Sequence, residues 1–205
     1  MTIGIPKVVY QNLGIVEYQW VDIYTRLSRE RVLFLTQELK KYQTNQLIGL
    51  MLYLSSEDEN FGMFIYMNSS GGSIICRLSL VDTVQYIHSR VGTVNVGIVG
   101  SIAAFVLSSG KKGKRIALSH ARFIIHQPES GSQGQATEIF IEVNEVIRIR
   151  GIVKRLYSKF TGKTLNFITL SMNRDEFLNA KQACEYGIID LIGKYARYLT
   201  TTKKN

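Results

Sequence analysis

The sequence predicts a single-domain α/β fold, on three observations. Short β-rich runs alternate along the chain with segments whose apolar residues recur every three or four positions. The chain has 205 residues, a length that suits one domain with its own buried core. Hydrophobic residues make up 45% and charged residues 20%, the mixture of a globular chain. Alternation of this kind argues for strands joined by right-handed helical crossovers.

Taken in order, the run 31–35 (RVLFL) reads as a strand, and 45–54 (NQLIGLMLYL) as a helix carrying Leu47, Leu50, Met51 and Leu54 at helical spacing. The run 63–67 (MFIYM) reads as a buried strand that ends in the turn Asn68-Ser69-Ser70-Gly71-Gly72. Helical spacing returns over 74–87, and 93–99 (TVNVGIV) is the next strand. A helix is predicted to start at Ser101 and run to Leu107, followed by strands over 115–118 and 122–125. A longer helix is predicted over 136–160. Its stripe of Ile139, Val143, Val146, Ile149, Val153, Leu156 and Phe160 is flanked by Ile141, Ile147 and Ile152. A helix apolar on more than one face needs more than one packing partner. Either it is sunk in its own core or another subunit covers it.

Composition excludes several classes. Cys76 and Cys184 are too few for a disulfide framework and read as two buried thiols of a reducing compartment. The longest apolar run, 96–107, is interrupted by glycine and serine and too short to cross a bilayer. The opening MTIGIPKVVYQ has neither a signal nor a transit pattern, so the protein is expected to work where it is made. The formal charge is +9. Arg148, Arg150, Lys154, Arg155, Lys159 and Lys163 fall within or just beyond the long helix, where charges form a solvated face. Lys111, Lys112, Lys114 and Arg115 add to the balance. No zinc spacing or aromatic-interleaved basic motif accompanies them, and neither a metal, a cofactor nor a nucleic-acid partner is expected.

Nucleophilic catalysis by serine requires a base, a carboxylate that orients it, and N–H donors for the oxyanion. The sequence has three histidines, so the base can be sought among all of them. His88 follows a helix and reads as a surface residue, and His120 lies in a turn between strands. His126 ends the apolar strand Phe123-Ile124-Ile125, where a base facing a cleft belongs. Ser101 lies between a strand and a helix N-terminus, a position that favours developing negative charge and equally suits a plain helix cap. Val99 and Ala103 replace the glycines of a G-x-S-x-G elbow, so that motif is absent. Gly71-Gly72 ends another strand, where glycine permits the backbone to approach the same cleft. Among Asp22, Asp58, Asp82, Asp175 and Asp190, composition makes no choice.

From about Asp22 to about Ile192 a series of ordered blocks carries a resemblance. They are DIYTRLSRERVLFL (22–35), YMNSSGG (66–72), VGSIAAF (99–105), HARFIIHQP (120–128), GSQGQATEI (131–139) and NRDEFLNAKQACEYGIID (173–190). These blocks resemble the ClpP family, the proteolytic subunits of the Clp protease. The resemblance implies a ClpP/crotonase-like fold of repeated β-β-α units with a protruding handle helix and strand. It divides the chain into an N-terminal axial segment (1–21), a protease domain (22–195) with its handle at about 128–160, and a basic tail (196–205).

The resemblance also implies a triad of Ser101, His126 and Asp175, with the backbone amides of Gly72 and Ile102 as oxyanion hole. It implies two stacked seven-membered rings, in which the stretch 131–136 is the handle strand, the long helix interlocks the rings, and further ClpP-like or non-catalytic Clp subunits are partners. Phe64, Tyr66 and Tyr86 match the apolar pocket where an ATP-driven Clp unfoldase docks. The chain has no G-x-x-x-x-G-K-[ST] loop, so ATP is left to that partner. The opening resembles plastid-encoded members, which implies the chloroplast stroma, with a bacterial cytoplasm as the alternative.

Some residues depart from the family pattern. Ser70 stands where the family has proline beside the oxyanion hole, and Ile102-Ala103 where it has Met-Gly. These keep in view a catalytically weak or structural ring subunit of a mixed Clp core, and the fold that the resemblance implies adds a crotonase-like acyl-CoA enzyme as a further rival.

Overall fold

The computed structural model describes residues 4–11, 18–100, 102–127 and 133–193. The first strands, β1 (Lys7–Tyr10) and β2 (Gln19–Asp22), form a separate antiparallel pair. Asp22 then caps α1 (Ile23–Arg29), its carboxylate accepting the Thr25 N–H at 2.8 Å. Arg26 and Arg29 both lie over the Tyr10 ring, 4.9 and 4.6 Å from its centroid, which ties β1 to α1.

The main body is built from β3 (Val32–Leu35), α2 (Lys41–Glu57), β4 (Met63–Ser69), α3 (Ile74–Tyr86), β5 (Val91–Gly100) and α4 (Ile102–Ser108). It continues with β6 (Arg115–Leu118), β7 (Arg122–Ile125), α5 (Ala136–Thr161), α6 (Leu165–Ser171), β8 (Glu176–Asn179), α7 (Ala180–Tyr186) and β9 (Leu191–Gly193). The strands β3-β4-β5-β6-β9 form a parallel path, with β7 branching from β5 and pairing antiparallel with β8.

The nine strands and helices read from local pattern are all present, four of them with longer bounds. The helix expected over 45–54 begins at Lys41, because Gln43 accepts the Lys40 N–H and Thr44 is buried. Its first turn is polar, so hydrophobic spacing alone does not reach it. β4 runs two residues past Met67 into what reads as a turn. A bulge between Met67 and Ser69 keeps Ser69 in register with Val99, and Asn68 Oδ1 accepts the Ile98 N–H at 3.0 Å. The partner strand therefore extends β4 where composition reads as turn.

The core joins Leu33 and Leu35 of β3 and Met63, Ile65 and Met67 of β4 to Leu47, Met51 and Leu54 of α2 and Leu80, Val81 and Val84 of α3. The alternation along β4 follows the two-residue strand period, leaving Phe64 and Tyr66 on the opposite face. At the centre, Ala103, Ala104, Phe105, Val106 and Leu107 of α4 are all buried, as an all-apolar helix must be. Phe105 packs its ring on Tyr157 at 5.2 Å and Phe160 at 5.8 Å, joining α4 to α5.

α5 resolves the two readings of its excess apolar surface by dividing them along its length. Its C-terminal half is sunk in the domain through Ile149, Val153 and Tyr157. Its N-terminal half is exposed, with Phe140 67% and Ile141 68% accessible alongside Ile139, Val143 and Ile147. The stretch 131–136, expected as a handle strand, forms no strand among its described residues, and Ala136 already opens α5. Positions 131 and 132 lie outside the described residues, as does the basic tail from 196. No helix among the described residues is long and apolar enough to cross a membrane. Cys76 and Cys184 are free thiols, both half-buried.

Candidate active site

The ends of β5 and β7 and the start of β8 lie together at one rim, beside which stand His126 and Asp175. In β7 and β8 the antiparallel register runs Arg122↔Asn179, Phe123↔Leu178, Ile124↔Phe177 and Ile125↔Glu176. His126 directly follows the last paired residue of β7, and Asp175 directly precedes the first paired residue of β8. β5 runs parallel to β7, with Gly100 opposite Ile124, so β5 ends beside the strand that leads to His126. α4 begins at Ile102, whose N–H is among the helix's first, unpaired-by-helix donors. Ser101 lies outside the described residues, between the last residue of β5 and the first of α4.

The turn after β4 closes the same rim. A Cβ on Gly100 would stand 2.6 Å from Ser70 O, so the two strand ends meet at a distance only glycine permits. Gly72 makes a parallel bridge to Leu39, with the Leu39 N–H donating to Gly71 O at 3.0 Å and Ser73 N–H donating to Leu39 O at 3.1 Å. Its φ is +134°, and a Cβ there would stand 2.5 Å from Leu39 O and 2.6 Å from Leu39 N. Glycine is required twice over, for conformation and for space.

Within this rim His126 is half-buried and Asp175 exposed, and no hydrogen bond joins them among the described residues. The imidazole Nδ1 lies 2.7 Å from Gln127 O instead. A carbonyl only accepts, so in the neutral ring Nδ1 carries the proton and Nε2 keeps its lone pair. That is the tautomer a general base needs. His88 and His120 are exposed and lie on other elements.

Two asparagines that sequence reasoning passed over shape this rim. Asn95 is fully buried, its Nδ2 donating to Arg122 O and its Oδ1 accepting the Gly97 N–H, both at 3.0 Å. It binds β7 where β5 changes partner, from β6 at residues 93–95 to β7 at residues 98–100. Asn68 does the same between β4 and β5. An asparagine inside an apolar strand was the available signal for Asn95, because a buried amide needs named partners.

Phe64 and Tyr66 stand side by side on β4, and Tyr66 stacks on Phe34 at 5.6 Å. Tyr86 is 79% exposed at the end of α3, a helix that packs on the opposite face of the sheet. One chain therefore does not gather the three aromatic residues into one pocket.

A largely parallel α/β sheet with a histidine just after one strand, an aspartate just before its neighbour, a glycine turn and a helix start is an arrangement compatible with a hydrolase. Comparison with known proteins gives the family: the Clp protease pattern matches residues 15–196. The chain is 51% identical over 200 residues to a Chlorella vulgaris protein named "ATP-dependent Clp protease proteolytic subunit", covering 98% of this chain and 100% of that one. Proteins of the same name from Oltmannsiellopsis viridis and Ostreococcus tauri are 50% and 47% identical. Each match covers 94% of this chain, and 98% and 96% of the respective relative. The chain belongs to the Clp protease family, and its enzyme class is that of the Clp-type serine peptidases.

Proposed function

We propose that this chain is the catalytic subunit of an ATP-dependent serine endopeptidase, acting on unfolded polypeptide inside a chamber. The observation that supports this best is the β7–β8 register, which pairs Ile125 with Glu176, the neighbours of His126 and Asp175, beside the end of β5. Ser101 Oγ attacks the peptide carbonyl while His126 Nε2 takes its proton, and the imidazolium later returns that proton to the leaving amine. Asp175 stabilises the imidazolium, for which Nδ1–H exchanges Gln127 O for the carboxylate. The amides of Gly72 and Ile102 receive the oxyanion.

The exposed apolar half of α5 supports a second copy of a Clp subunit as its cover, in line with stacked seven-membered rings. A docking pocket that uses Phe64, Tyr66 and Tyr86 takes Tyr86 from a neighbouring copy, because one chain keeps it on the other face. The names of the relatives support a partner that uses ATP, which we assign to a Clp unfoldase. Their green-algal sources support the plastid, and within it the stroma.

A fluorophosphonate probe tests the assignment. The assembled protein is expected to carry one adduct per active chain, on Ser101, and Ser101→Ala to lose both adduct and peptidase activity by several orders of magnitude. One observation favours a structural subunit instead: Asp175 is exposed and His126 is engaged by Gln127. An assembled, otherwise active complex with no adduct on this chain would establish that reading.

A further inference from the structure

We infer that Arg150 of α5 is a positioning residue for Asp175, an inference that rests on the triad proposed above. The segment from α6 to β8 carries Asp175 between two fixed points. At its end, Glu176 enters β8 opposite Ile125. At its start, Met172 is buried, the Asn173 N–H donates to Leu170 O at 3.3 Å, and Asn173 Oδ1 accepts a terminal N–H of Arg150 at 2.7 Å. Asp175 is exposed and makes no hydrogen bond of its own among the described residues, so its position is inherited from these anchors. It lies two Cα–Cα steps beyond Asn173, each about 3.8 Å, so a shift at Asn173 reaches the carboxylate almost undamped.

Arg150 is a poor choice for stability alone. Its Nε is enclosed and has no hydrogen-bond partner, and no carboxylate pairs with it among the described residues. A partly buried cation held by one neutral amide costs more in lost hydration than it returns. What the guanidinium provides is a rigid, directional donor from α5 to the segment that bears Asp175. Helix α5 is the element whose other half stands exposed, so the tether also joins the handle to the site.

The test is the pH profile of kcat/KM of the assembled full-length protein with a short fluorogenic peptide. Loss of the Asp175 support weakens the His126 imidazolium and moves the acidic limb to lower pH. The charged groups just before and at the start of β8 are Arg174, Asp175 and Glu176, whereas β5 and α4 contribute none. A limb that moves therefore reports the β8 side. Arg150→Gln is expected to lower kcat about ten- to a hundredfold, with KM little changed and the limb displaced. Arg150→Lys should restore part of both, and Asn173→Asp should hold the tether at least as well as wild type. Should Arg150→Gln fail to assemble, Asn173→Ala removes only the acceptor and is read in the same way. Activity lost in Asp175→Asn but kept in Arg150→Gln, with an unmoved limb, overturns the inference alone. Activity that survives Asp175→Asn overturns the triad, and the inference with it.

Discussion

Arg115 joins four parts of the chain through one guanidinium. Its Nε donates to Asp190 Oδ2 at 2.9 Å, and its second terminal nitrogen pairs with Asp190 Oδ1. The other terminal nitrogen donates to Ser108 O and Phe160 O, at 3.2 and 3.0 Å. The ends of α4 and α5 are thus tied to β6 and to the entry of β9. The side chains are 4% and 16% exposed, so removing one partner strands the other away from water. Asp190→Asn is expected to cost about 3 kcal/mol at neutral pH. Burial by itself raises the Asp190 carboxyl, but the hydrogen bonds from Arg115 and Gly113 and the Arg115 charge carry it below its ordinary 3.8. A carboxyl depressed in the folded state stabilises at pH above its unfolded value, and that stability fades as pH falls through the folded one. Urea midpoints of wild type and Asp190→Asn should therefore differ most at neutral pH and converge below about pH 4.

At the scale of elements, α4 has seven residues and no polar face among its described side chains, so it holds its place by burial rather than by helix propensity. Phe105 is the largest side chain it buries, and its ring meets Tyr157 and Phe160 of α5. Phe105→Ala is expected to cost about 3–5 kcal/mol, read as a lower thermal midpoint. Because α4 starts at the residue after Ser101, the same variant should lower probe labelling of the folded fraction. A variant that loses stability but labels normally would show that the helix start is held by the sheet alone.

For the whole molecule, the exposed half of α5 is where a single chain is unfinished. Phe140, Ile141 and Ile147 form an apolar surface on a helix whose other half is anchored in the core. Exposed contiguous apolar surface of this kind marks an interaction site. Ile141→Glu is expected to leave the circular dichroism of the chain unchanged, since the side chain touches no core. Native mass spectrometry should show the assembly lost, because a charge would be buried without a partner. An intact assembly would place the ring contact elsewhere.

Much of this architecture was legible in the order of residues. Alternating apolar runs named the central strands and helices, since side-chain periodicity is a property of the local chain. Ser101, His126 and the Gly71-Gly72 turn were legible as chemistry in plausible places, whereas Asp175 came from family likeness alone. The short elements α1, α6, α7, β8 and β9 escaped pattern reading, because three to seven residues give little periodicity to register. Tertiary structure decided which strands are neighbours, and so which distant residues share a rim. His126 and Asp175 are 49 residues apart in sequence, and the antiparallel pairing of β7 with β8 brings their neighbours Ile125 and Glu176 together. Arg150 read as a surface charge and Asn95 drew no reading until their partners were in place, since a hydrogen bond between distant segments leaves no mark on local composition. The sequence by itself determined the α/β class and the family. The tertiary structure decided how its strand ends meet and which half of its long helix stays exposed, because burial depends on neighbours that local sequence does not name.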